Sequence, residues 1–374
     1  MLWLRNVRFL TLKELSSFLS DRLLLGFLVL SFTILVYNDA TGIETNVNNA
    51  SVAIVDGDNS ALSRRYRDAL LAPFFKPAVL IDRSRIDDVM DAGNFAFVLD
   101  IPPHFEADIL RGRNPILQLN VDATAMTQAG VGASYIQEIL LTETLDYLGF
   151  REFDDKLPLV LVDRALFNPN LESIWFQSIE ALVEQITLFA LLLVGAAVIR
   201  EREQGTIEHL LVMPLRASEI AASKVLANGL IVLFAVLVAM TFTVRLVLQV
   251  PIQGSVPLFL FAAALYIFSI TSLGIMLSTI ASTMPQFGLL IMPVFLFLRM
   301  LSGSTSPLTS MPDALSTLLQ ASPTVHFVDL AQAVLFRDAG LFTVWPQILT
   351  IAALGVVFLA VALGRFRAML ARHG

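Results

Sequence analysis

Residues 200–214 read REREQGTIEHLLVMP. The stretch opens on alternating charge, passes through Gln204-Gly205-Thr206, and ends in a short segment that mixes one acid with leucines. Long apolar runs flank it, Phe176–Ile199 before and Ile220–Val244 after. Between residues 176 and 363 no other segment matches its charge density. A link that merely joined two apolar helices could be short and bland. This one reads as a surface offered to a partner, and its flanks read as helices that cross a membrane.

Composition agrees. Apolar residues make up 56% of the chain, charged residues 15%, and the mean hydropathy is +0.73, outside the range of soluble domains. A bilayer core about 30 Å thick takes roughly 20 apolar helical residues. Leu246–Leu298 contains no Asp, Glu, Lys or Arg, and neither does Ala339–Gly364. The fold expected is an α-helical integral membrane bundle of six transmembrane helices, with a large α/β outer domain inserted between the first and second. The spans are Leu23–Asn38, Phe176–Ile199, Ile220–Val244, Pro257–Ala281, Phe287–Leu301 and Val344–Leu363. Pro251, Gly254, Pro257 and Pro285 divide the long uncharged run. The first span is short enough to be the apolar core of a signal peptide. Its lead-in of 22 residues is long for that role, and Asn38-Asp39-Ala40 is a poor cleavage site, so it is taken as an uncleaved anchor.

Basic residues in short loops set orientation. Arg5, Arg8, Lys13 and Arg22 precede the first span; Arg200, Arg202, Arg216 and Lys224 follow the second; Arg365, Arg367 and Arg372 close the chain. An even number of spans places all three groups on one side, the cytoplasmic one, with both termini there and residues 39–173 outside. Residues 1–22 are expected to form an interfacial helix, with Leu4, Val7, Leu15, Phe18 and Leu19 on one arc and Arg5 and Lys13 opposite; a charged flank serving topology alone is the other reading.

The outer domain, residues 39–173, stands without disulfides, since the chain has no cysteine. Strands are expected at Ser51–Val55, Phe95–Ile101, Ile116–Val121 and Leu157–Val162, and helices at Leu62–Leu71, Ser84–Asp91, Phe105–Leu110 and Met126–Leu148. Its 21 acidic and 11 basic residues account for the chain's net charge of −7 and give no call for a cationic ligand.

Motifs for chemistry are missing. There is no GxxxxGK[ST] phosphate loop, so the chain by itself cannot bind and hydrolyse a nucleotide in the usual way. It has no GxSxG elbow and no HExxH pair. His104, His209, His326 and His373 are scattered, which argues against a metal site, and no basic, aromatic-interleaved face suggests nucleic acid. No cofactor and no catalytic residue are assigned to the chain.

One span, a large outer domain and five further spans, with EREQGTIEHLLVMP after the second, resemble the permease subunit of bacterial type 2 ATP-binding-cassette exporters, most closely the YhhJ-type inner-membrane permeases. The resemblance covers the whole chain. It is carried by NFAFVLDIPPHFEADILRGRNPILQLNVDAT, by FNPN at Phe167–Asn170, by the charged loop, and by SPTVHFVDLAQAVLFRDAG before the last span. It implies that residues 200–219 hold a coupling helix seated in a separate ATP-binding-cassette ATPase, which supplies ATP and Mg. It implies a second permease copy, identical or not, and is compatible with a periplasmic membrane-fusion adaptor.

The loop's residues suit that role. Arg200, Glu201, Arg202 and Glu203 are hydrated where the second span leaves the membrane. Gly205 permits a turn, Thr206 can cap a helix, and Glu208 suits its first turn. Leu210, Leu211 and Met213 form an apolar side that Pro214 ends. The ATPase-coupling residues are therefore expected to be Glu201, Arg202, Glu203, Gly205, Thr206, Glu208, Leu210 and Leu211. A helix lying flat on lipid headgroups is the alternative, to which Glu201, Glu203 and Glu208 are poorly suited.

A second set lies at the other ends of the spans. Glu180 and Glu184 share a helical face, and Arg245 and Arg299 lie at similar depth on other spans. Charges there face a bundle interior or cavity, which makes them candidates for an outer gate or pathway, or else for ion pairs that fix packing. Ser302–Ala339 resembles the family's outer re-entrant helices, with Pro307, Pro312 and Pro323 breaking it up and His326 a packing residue. The function expected is ATP-driven export of a hydrophobic or amphipathic small molecule or lipid. The alternative is a mechanotransmitter that works on periplasmic partners and translocates nothing.

Overall fold

The computed structural model describes residues 2–42, 49–122, 126–149, 172–205, 215–300, 302 and 319–373. The chain divides into two compact units, residues 1–42 with 174–374, and residues 43–173.

The smaller unit is built on a four-stranded sheet, ordered β2-β1-β3-β4. Its strands are β1 (Val52–Asp56), β2 (Val79–Leu80), β3 (Phe97–Ile101) and β4 (Gln118–Val121). The first three run parallel and β4 antiparallel to β3. Alternation sorts the side chains: Val52, Ile54, Phe97, Leu99 and Ile101 face one way, and Ala53, Val55 and Val98 the other. The first face is covered by Leu62 and Tyr66 of α3 (Ala61–Ala69), Phe105 of α5 (Phe105–Leu110) and Ile136 and Leu140 of α6 (Met126–Tyr147). The second packs on Val89 of α4 (Ile86–Asp91). Ser60 caps α3 by accepting the Ser63 amide at 3.1 Å. The expected strands and helices within the described residues coincide with these elements to within two residues at each end. The two-residue β2 lacks enough alternation to announce itself, and Leu157–Val162 lies outside the described residues.

In the larger unit α1 (Leu2–Ser20) precedes, among the described residues, five helices long and apolar enough to cross a membrane: α2 (Arg22–Gly42), α7 (Ser173–Glu203), α8 (Ala217–Val247), α9 (Val256–Ser278) and α12, over Leu341–Arg367. The expected span Phe287–Leu301 falls on a shorter helix. Helix α10 (Met284–Met300) has 17 residues and carries Pro293 inside it, and α11 (Pro323–Phe336) has 14. Helices α7 and α9 are buried over most of their length, whereas α12 and α2 turn large apolar side chains outward. Gly195 on α7 lets Phe287 of α10 close in; a Cβ there would stand 1.8 Å from its ring. The π-helical turns Ser31–Leu35 and Met240–Val247 meet where the Thr243 hydroxyl donates to the Phe32 carbonyl at 3.1 Å.

The arc expected on α1 splits in two. Val7, Thr11 and Phe18 face the protein, while Leu4 and Leu19 are exposed beside Phe9 and Leu12. The helix has a packing face and a separate apolar outer face, because Asn6 and Glu14 bind α8 and so fix its rotation.

Candidate functional site

The last turn of α7 carries Arg200, Glu201, Arg202 and Glu203, and Gly205 at φ +69° closes it. That left-handed turn favours glycine, as expected. Each of the four charged side chains has a partner within the chain, and Arg200 and Glu203 remain exposed. Arg200 pairs with Asp21 (3.5 Å), and Glu201 accepts from the Lys224 ammonium at 2.9 Å, with Lys13 at 3.6 Å. Arg202 donates to the Ala281 carbonyl at 3.0 Å, and Glu203 accepts the Met284 amide at 2.8 Å, bonding the start of α10. At a helix end crowded by α1, α8 and α10 each finds a partner within the chain and holds the loop's root in place.

Lys224 is the centre of this arrangement. Its side chain is 2% exposed, and its ammonium reaches Glu14 at 3.0 Å as well as Glu201, with the Ala197 carbonyl at 3.3 Å. A buried ammonium survives when charge partners and hydrogen bonds replace its water. Asn6 donates to Glu219 at 3.2 Å and Trp3 to Ser218 at 3.4 Å, and Glu219 in turn accepts the Arg216 amide at 2.7 Å. Helix α1 therefore grips the chain on both sides of the loop, at Glu201 before it and at Ser218, Glu219 and Lys224 after it. Thr206, Glu208, Leu210 and Leu211 lie outside the described residues.

At the opposite end of α7 the structure brings Glu184 and Arg299 together, Nε to Oε1 at 2.6 Å. Glu180, one turn away, shares their narrow cleft with Val183, Thr187, Phe295 and Thr324. Arg245 does not join them; it is exposed on the π-helical turn that ends α8. Below the pair, the Tyr266 hydroxyl lies 2.6 Å from Thr187 Oγ1 and 3.0 Å from Thr324 Oγ1, all buried. The Tyr266 ring stacks on Phe327 at 4.3 Å. Pro323 sits in the first turn of α11, where its missing amide hydrogen costs nothing. His326 Nε2 is 2.8 Å from the Gln320 carbonyl. Pro307 lies outside the described residues.

The sequence reading missed two groups. Lys224 counted only as a topology cation, although a lone lysine inside the otherwise uncharged span Ile220–Val244 signals a buried partner. Tyr266 with its two threonines was passed over because hydroxyls leave no trace in charge patterning. Among the described residues, no group of three or more His, Asp or Glu is arranged to hold a metal.

Comparison with known proteins adds the family. Residues 22–363 match the family model described as ABC-2 family transporter protein. The chain is 46% identical over 365 residues to the inner membrane transport permease YhhJ of Escherichia coli (strain K12), covering 97% of each. It is 29% identical over 342 residues to a protein of the same strain named "Probable multidrug ABC transporter permease YbhR", covering 90% of this chain and 91% of that one. A third relative from that strain, YbhS, bears the same description and is 24% identical over 364 residues, 95% of each.

Proposed function

This chain belongs to the ABC-2 transporter family, and on that premise we propose that it is the permease subunit of an ATP-driven exporter of the bacterial inner membrane. The cargo is a hydrophobic or amphipathic small molecule or lipid, moved out of the cytoplasm or the inner leaflet. A separate ATP-binding-cassette ATPase binds ATP and Mg and seats on the loop at residues 200–219, through Glu201, Arg202, Glu203, Gly205, Thr206, Glu208, Leu210 and Leu211. Two permease copies, alike or different, form the pathway, and a periplasmic adaptor protein is compatible with it. In this reading α10 completes six spans, both termini are cytoplasmic, and residues 39–173 stand in the periplasm.

One observation carries the proposal: α1 holds both flanks of the charged loop, through Glu14, Lys224 and Glu201 and through Asn6 and Glu219. A push on the loop is then delivered to α1, α7 and α8 together. Glu203 and Arg202 extend it to the start of α10. At the far end of α7 and α10, Glu184 and Arg299 close the cleft, so tilting either helix strains that pair. The test is reconstitution of the permease with its co-isolated ATPase in vesicles. ATP-dependent transfer of a fluorescent amphipath or a labelled phospholipid across the membrane supports export. ATP turnover with no transfer of any such probe would favour transmission to periplasmic partners instead.

A further inference from the structure

Between α1, α2 and α8 runs an apolar groove of about 430 Å³, walled by Phe18, Leu25, Val29, Phe32, Phe234 and Val238. Along α2 it extends from Leu25 to Thr33, about 12 Å at 1.5 Å per residue, close to the roughly 15 Å of hydrocarbon in one leaflet. We propose that this groove holds one acyl chain of an anionic phospholipid, drawn from the leaflet on the α1 side, with its phosphate at Arg8 and Arg22.

The charge pattern selects that occupant. Arg22, Leu25, Val29 and Phe32 are spaced i, i+3, i+7 and i+10 on α2, so the guanidinium stands at the head of a row that lines the groove. Arg8 heads the corresponding row on α1, with Leu12, Leu15 and Leu19 at i+4, i+7 and i+11, the last two in the groove wall. Both arginines are exposed, and neither makes an ion pair among the described residues. The acids nearest them along the chain are turned elsewhere: Asp21, beside Arg22, accepts the Leu24 amide at 3.2 Å and pairs with Arg200, and Glu14, the nearest to Arg8, pairs with Lys224. Two uncompensated cations above a hydrocarbon slot match a phosphate above its tail. A second permease copy seated here by two-fold symmetry would bring this surface against itself, arginines included.

The test uses the full-length permease in nanodiscs of equal phosphatidylglycerol and phosphatidylethanolamine, released into mild detergent and weighed by native mass spectrometry. The wild type retains phosphatidylglycerol in preference. Arg8→Gln and Arg22→Gln each lower that preference about fivefold, and the double variant about 25-fold, at roughly 1 kcal/mol per cation near the surface. Ala235→Phe, which fills the wall, removes the bound lipid of either kind; should that variant misfold, the arginine variants decide alone. Equal retention of the two lipids by wild type, or an unchanged preference in the double variant, overturns the proposal. So does a disulfide between copies through Val238→Cys, which would show a second permease in the groove.

Discussion

The ammonium of Lys224, which is buried, lies 2.9 Å from the carboxylate of half-buried Glu201, with Glu14 completing the group at 3.0 Å. Three segments far apart in sequence meet at this one charge: the N-terminal helix, the end of the helix before the loop, and the start of the helix after it. Removing one member leaves the others desolvated without compensation.

Lys224→Met should therefore lower stability by about 3–5 kcal/mol, the usual cost of breaking a buried pair. The triple variant Glu14→Gln, Lys224→Met, Glu201→Gln should recover most of the loss. Thermal unfolding of the detergent-purified permease measures both. A triple variant as unstable as the sum of its single variants would show that these charges do not work as a unit.

Glu184 and Arg299 form a second, simpler case. Arg299 is half exposed, so solvent screens part of the attraction. Glu184→Ala and Arg299→Ala should each lower the melting temperature, and the double variant should lose less than their sum, with a coupling on the order of 1 kcal/mol. Additive losses would assign the two residues to separate roles. Glu180→Gln, measured beside them, reports whether the second carboxylate of the cleft contributes.

The absence of cysteine makes topology simple to read. Asp68 is exposed on α3 and Gln204 is exposed beside the charged loop. In spheroplasts Asp68→Cys should react with an impermeant maleimide at once, and Gln204→Cys only after the membrane is opened. The opposite pattern would invert the proposed orientation.

Much of this architecture was legible in the sequence because it depends on hydropathy and period. The long uncharged runs marked the membrane helices, and the nearly continuous apolar run Phe97–Ile101 marked a strand buried on both faces. Pairing across the chain was less accessible. Glu184 with Arg299 could be anticipated because few charges lie at that depth, and a cation there invites an anion. Arg245 met the same criterion and stands apart, since sequence depth does not tell which way a helix faces. The intrachain partners of Glu201 and Glu203 were hidden because local sequence cannot show that α1 and α10 fold back onto them.

The central claim is that the loop at residues 200–214 is where a separate ATPase takes hold. It is tested most directly by purifying the full-length permease from its own membranes and measuring co-purifying ATPase, with and without Leu210→Asp plus Leu211→Asp. The account predicts a vanadate-sensitive ATPase chain in stoichiometric amount with the wild type, and at least a tenfold loss of it with the double variant, whose permease stays inserted and folded. An equal yield of ATPase with both proteins, or none with the wild type, would contradict it.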